Sequence, residues 1–184
     1  MNTPAADPIP AFFRGTGTDH AGRRHPEILA WSDDRLEMQH DYIQWLFPLR
    51  RRGRYNPDAP VLMPSTIEAF QWDPELREAL LRGFRRMAGF YGFAIRTCSD
   101  GALQLDPLDD FTVRSRTWLT PGNHNFLRLT RILTSLRTLG CEGQAQALLG
   151  ALEAVDRRHP VVIGGQTLGF WRSAAEPRAV RHCT

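Results

Sequence analysis

His40-Asp41-Tyr42-Ile43-Gln44-Trp45-Leu46-Phe47-Pro48-Leu49-Arg50 is the stretch whose reading decides the fold. At helical spacing its apolar side is Leu36, Ile43, Leu46 and Phe47, with Met38, Tyr42 and Trp45 beside it. Only Glu37, Asp41 and Gln44 form a polar strip. A helix apolar over so much of its circumference has to be covered on most sides, so the pattern predicts a central buried helix over residues 33–47. Ser32 or Asp33 caps it, with acidic residues in its first turn. Pro48 ends it, because the residue before a proline is pushed out of the α region. His40 and Gln44 fall one turn apart at the edge of the polar strip. That place suits a satisfied buried polar pair and equally the rim of a site.

Outward from this stretch the chain reads as more helices. A short helix or turn runs from Pro26 to Trp31, and Ser65 opens a brief helix to about Gln71 with Glu68 completing a capping box. Asp73-Pro74 then starts a helix to Tyr91, whose core face is Leu76, Ala79, Leu80, Gly83, Phe84, Met87 and Phe90. Gly83 on that face suggests close approach of another backbone. Asn123 caps a further helix with Phe126, Leu129, Ile132, Leu133, Leu136 and Leu139 inward, and Gly140 stops it. Glu142 to about Arg157 returns as its antiparallel partner. Residues 93–105 read either as a small hairpin around Ser99-Asp100-Gly101 or as an irregular surface loop. The expected architecture is all-α, a single bundle of about six helices. Residues 1–11, with three prolines, are a disordered lead; 12–163 are the domain; 164–184 are a partly ordered tail with Phe170 and Trp171 as anchors.

Several blocks point the same way. The His40–Arg50 string, the run Asn123-His124-Asn125-Phe126-Leu127-Arg128-Leu129-Thr130-Arg131-Ile132-Leu133, the Phe90-Tyr91-Gly92 triplet and the segment from Phe13 to Arg23 stand in fixed order. Together they resemble the conserved domain of the opioid growth factor receptor family, over most of residues 12–155. The resemblance is to a bacterial-type homologue without the repeat tail of the animal members. It implies an all-helical domain and a peptide-receptor role, with the nuclear and membrane association of the animal proteins. It transfers no catalytic residue.

Composition bounds the rest. Hydrophobic content of 42% and charged content of 23% are globular values for 184 residues. No run approaches the length of a spanning helix, and the amino-terminal residues lack a basic start and apolar stretch, so the expectation is a soluble, cytoplasmic protein. All 23 basic residues are arginine, yet a net charge of +3 is too small to mark a nucleic-acid binder by itself. Arg50-Arg51-Arg52-Gly53-Arg54 is a dense basic loop, read as a solvated turn before phosphate contact. Cys98, Cys141 and Cys183 form neither a zinc pattern nor a disulfide framework. The aspartates fit no calcium loop, so neither metal nor cofactor is expected.

Two places could carry chemistry. His40, Gln44 and Trp45 form half of a pocket, with Arg50 adding a charge. On the second block, His124, Arg128, Arg131 and Ser135 follow helical spacing and share a polar face beside a helix start. Free N–H groups there, with Asn123, His124, Asn125, Arg128 and Arg131, would make an anion-receiving pole, joined by Arg50 if the two blocks pack together. The plain alternative is an exposed arginine stripe. No nucleophile–base pair is legible. The expected function is therefore binding of a peptide or small anionic ligand. A nucleic-acid or phosphate binder is the first rival, and an enzyme of unknown reaction with a His40/His124 site the second.

Overall fold

Asp7 opens the first helix by accepting a hydrogen bond from the backbone N–H of Ile9 at 3.0 Å. Pro8 at the helix start needs no such partner, and α1 (Pro8–Phe13) follows. The computed structural model describes residues 7–52 and 58–177. α1 forms inside the stretch expected to be a disordered lead. The cap and the burial of Ile9, Phe12 and Phe13, each at most 1% exposed, are the reason. Residues 1–6 of that lead lie outside the described residues.

The chain divides into two compact units, residues 1–87 and 88–184. In the first unit α2 (His25–Leu29) and α3 (Asp33–Met38) follow α1, and Ser32 Oγ accepts from Arg35 N at α3's start as expected. The continuous helix over 33–47 does not form. Gln39 is extended, with φ −90° and ψ 136°, and helix resumes only at α4 (Ile43–Leu46). Asp41 and His40 are weak helix-interior residues, and Asp41 is held instead by Arg23 and His20 of the loop before α2. The break turns Met38 outward to 70% exposure, whereas Leu36, Tyr42, Ile43, Leu46 and Phe47 stay in the core. α5 (Pro64–Trp72) starts one residue before the expected cap.

Asp73 Oδ1 then accepts from Glu75 N (2.9 Å) and Leu76 N (3.3 Å), and its Oδ2 from Arg14 Nη2 (2.5 Å). That cap launches α6 (Pro74–Phe90), with Leu76, Ala79, Leu80, Phe84 and Met87 buried. No backbone crowds Gly83. A methyl there would lie 3.9 Å from Phe47 Cζ and 4.0 Å from Leu46 Cδ2, which is ordinary contact. Gly83→Ala is therefore expected to stabilise the chain by about 0.5–1 kcal/mol through helix propensity, read as a raised denaturant midpoint at constant slope.

In the second unit the fold departs from all-α. β1 (Phe93–Thr97) and β2 (Leu103–Pro107) pair antiparallel, Phe93 opposite Pro107 and Thr97 opposite Leu103. Gly101, at φ 83°, supplies the turn. The period of two puts Phe93, Ile95, Leu103 and Leu105 on one face and Ala94, Arg96, Gln104 and Asp106 on the other. Across that outer face Arg96 donates to Asp106 Oδ2 (2.7 Å) and Gln104 Oε1 (3.0 Å). α7 (Phe111–Trp118) follows, and buried Trp118 donates its indole N–H to the Tyr91 carbonyl at 3.1 Å.

α8 (Asn125–Thr138) and α9 (Glu142–Arg158) pack together, reversed at Gly140 (φ 78°) with Cys141 buried beside it. After α10 (Pro160–Ile163), α11 (Gly165–Ala175) packs on both. Trp171, fully buried, donates to the Phe126 carbonyl at 3.1 Å, so the tail is docked at least through Ala175. No described helix is long and apolar enough to cross a membrane.

Candidate functional site

The loop between α1 and α2 carries the first constellation. Asp19 Oδ1 accepts from the backbone N–H groups of Ala21 and Arg23, both at 2.9 Å, which folds the loop on itself. Asp19 Oδ2 takes Arg23 Nε at 2.6 Å. Arg23 Nη2 stands equally close at 2.6 Å but out of line, so that contact is ionic rather than a second hydrogen bond. Arg23 Nη1 reaches Asp41 Oδ1 at 3.0 Å, and Asp41 Oδ2 lies 3.2 Å from His20 Nε2. Burial alone would raise the Asp41 carboxyl, but the hydrogen bond and charge of Arg23 outweigh it and hold its pKa low. Burial likewise opposes the Arg23 charge, while its bonds to Asp41 and Asp19 raise its pKa on balance.

His20 closes the chain of contacts. Its Nδ1 accepts the indole N–H of Trp45 at 3.0 Å, and the two rings lie nearly parallel, 12° apart. Since an indole N–H only donates, Nδ1 is the bare nitrogen and Nε2 carries the proton toward Asp41. Beside these rings is an open recess of about 790 Å³. Trp45, Pro8, Pro60, Val61 and Met63 give it an apolar wall, and Asp7, Asp58, His20 and Arg52 place charges of both signs around it. Asp7 is fixed by its helix cap and by the hydroxyl of buried Thr66. The strap 58–63 is tied down by Leu62 N donating to Leu49 O at 2.9 Å.

The second unit buries its polar group at the start of α8. Asn125, 0% exposed, accepts at Oδ1 from Tyr91 Oη and Arg128 Nη1, each at 3.2 Å, and donates to Asn123 Oδ1 at 3.1 Å. Arg128 is 5% exposed, so this face is not an exposed arginine stripe. The backbone donors of the helix start are engaged. Asn125 N and Phe126 N reach Asn123 Oδ1 and O, and Leu127 N and Arg128 N reach His124 O. Burial lowers Arg131 to about 10, which leaves it a cation at neutral pH.

Comparison with known proteins settles the kinship. The model of the opioid growth factor receptor (OGFr) conserved region matches residues 27–177. The chain belongs to the opioid growth factor receptor family. It is 45% identical over 114 residues to the opioid growth factor receptor of Rattus norvegicus, covering 61% of this chain and 19% of that protein. To the Homo sapiens receptor it is 40% identical over 114 residues, 61% of this chain and 16% of that protein. Opioid growth factor receptor-like protein 1 of Mus musculus is 36% identical over 120 residues, 61% of this chain and 24% of that protein. The chain thus spans at most about a quarter of the length of these relatives. No solved structure matches it.

In this opioid growth factor receptor-family chain the expected site residues fall into separate units. Trp45 lines the recess, Gln44 is buried beside it in α4, and His40 and Arg50 are exposed. The break at Gln39 removes the one-turn relation between His40 and Gln44. Asn123, His124, Asn125 and Arg128 do come together, His124 Nε2 lying 3.4 Å from Asn125 Nδ2. His124 itself is exposed and Arg131 is half-buried. Among the described residues no group of three or more His, Cys, Asp or Glu side chains could hold a metal ion. Sequence reading missed His20, Asp19 and Arg23. An aspartate three residues before Gly22 was a turn signal, but nothing local announced that Arg23 and His20 would reach Asp41.

Proposed function

We propose that this chain is an opioid growth factor receptor-like binding module that receives a short peptide in the recess beside Trp45. The observation that carries the reading is the mixture of walls. Apolar Trp45, Pro60, Val61 and Met63 share the lining with carboxylates at Asp7 and Asp58 and a guanidinium at Arg52. A peptide with free ends brings an ammonium, a carboxylate and an apolar side chain, and each has a complement here. The names of the relatives, receptors for a growth factor, agree with that class of ligand. At the Asn123–Arg128 pole the backbone donors are engaged, so an anion there would rely on His124, Arg128 and Arg131 side chains. The recess is therefore the better receiving surface.

Titration calorimetry with a panel of unblocked pentapeptides, each holding one aromatic residue, tests the reading. Met63 and Arg52 are exposed, so Met63→Ala and Arg52→Ala leave the core intact. Each is expected to weaken the best binder by roughly five- to fiftyfold. Unchanged affinity in both variants, with weakening in Arg131→Ala, would move the site to the pole.

A further inference from the structure

We propose that His20 is a proton-operated latch on the recess: the neutral ring fixes the Trp45 wall, and protonation releases it. The inference rests on the recess being the receiving surface, but its physical content is independent of any ligand. In the neutral ring Nδ1 has a lone pair and accepts from Trp45 Nε1 at 3.0 Å, while Nε2 faces Asp41 Oδ2 at 3.2 Å. A second proton can go only to Nδ1. Two N–H groups would then point at each other across 3.0 Å, and the indole cannot reverse its role.

Asp41 decides which contact survives. An imidazolium is drawn to the carboxylate, which Arg23 holds in place through Oδ1 at 3.0 Å. The ring therefore stays with Asp41 and the Trp45 bond breaks. Trp45 is 5% exposed, so its indole N–H must find another acceptor by moving, and the apolar wall moves with it. The charged groups facing His20 are Asp41 before α4, Asp19 and Arg23 in its own loop, and Asp7, Arg52 and Asp58 around the recess. The His20 side chain is 24% exposed, so a proton reaches it without unfolding.

The test compares wild type with His20→Gln at pH 8 and pH 5.5. Glutamine keeps an acceptor for the indole and does not titrate. In proton–nitrogen NMR spectra the Trp45 indole resonance, assigned by its loss in Trp45→Phe, should shift upfield and lose exchange protection at pH 5.5 in wild type only. The imidazole nitrogen shifts should show Nε2 protonated at pH 8. The best unblocked pentapeptide should bind roughly tenfold more weakly at pH 5.5 to wild type, with a several-fold smaller change in the variant. His25, a buried imidazole, is present in both proteins, so its own titration is common to both. An indole signal that stays fixed, or moves equally in the variant, overturns the latch. If the indole responds as stated while no pentapeptide binds at either pH, the latch stands and the peptide-binding reading falls.

Discussion

Phe47→Ala is expected to lower the stability of the chain by about 3–5 kcal/mol, against about 0.5 kcal/mol or less for Met38→Ala. Both residues belong to the apolar pattern from which the sequence predicts a central helix. The structure separates them. Phe47 is fully buried, its ring at the Gly83 face of α6, whereas Met38 is 70% exposed at the end of α3. Truncating a buried ring costs its transfer free energy and leaves a cavity, while an exposed methionine loses almost nothing. Urea unfolding of the two variants measures the contrast. Equal midpoints would restore the continuous helix of the sequence reading and remove the break at Gln39.

Acid is expected to destabilise the chain through His25, on the order of 3 kcal/mol between pH 6.5 and pH 4. His25 is 1% exposed, packed against Phe12 and Phe13 with ring centroids 5.5 and 5.3 Å away. Burial first, and then the charge of Arg82, push its pKa from 6.5 to about 4, although a hydrogen bond with the Ala79 backbone opposes them. Its Nε2 is buried among these rings without a close hydrogen-bond partner. The unfolded chain binds this proton below pH 6.5 and the folded chain only near pH 4, so between them the unfolded state holds more protons and stability rises with pH. The contribution is present above pH 6.5 and lost by about pH 4. Urea midpoints at half-unit steps of pH should show this slope in wild type. In His25→Gln, which has no proton to gain, the slope in that window should be largely gone. The Asp41 and Asp73 carboxyls, both held low, weaken the fold only at more acid pH.

What the sequence disclosed was governed by range. The caps at Ser32 and Asp73, the stop at Gly140 and the core face of α6 depend on neighbours within a few residues, and each stands where the spacing put it. The break at Gln39 depends on Arg23 and His20 reaching Asp41, 18 positions away for Arg23, and no helical periodicity encodes that. The hairpin stood at parity with a loop because five-residue strands alternate too briefly to be decisive. Trp171 and Phe170 both read as anchors, and burial of Trp171 with its bond to the Phe126 carbonyl separates it from exposed Phe170. At the site, Trp45 was legible as an aromatic near a helix end. The recess was not, because its walls come from α1, the 14–24 loop, α4 and the 58–63 strap together.

Chemical-shift mapping of a bound pentapeptide distinguishes the recess beside Trp45 from the pole at the start of α8. Titrating the best unblocked pentapeptide should perturb the Trp45 indole, the His20 ring, Val61 and Met63, and leave Asn123, His124 and Arg131 unmoved. Perturbations confined to residues 123–131, or a spectrum unchanged at millimolar peptide across the whole panel, would contradict it.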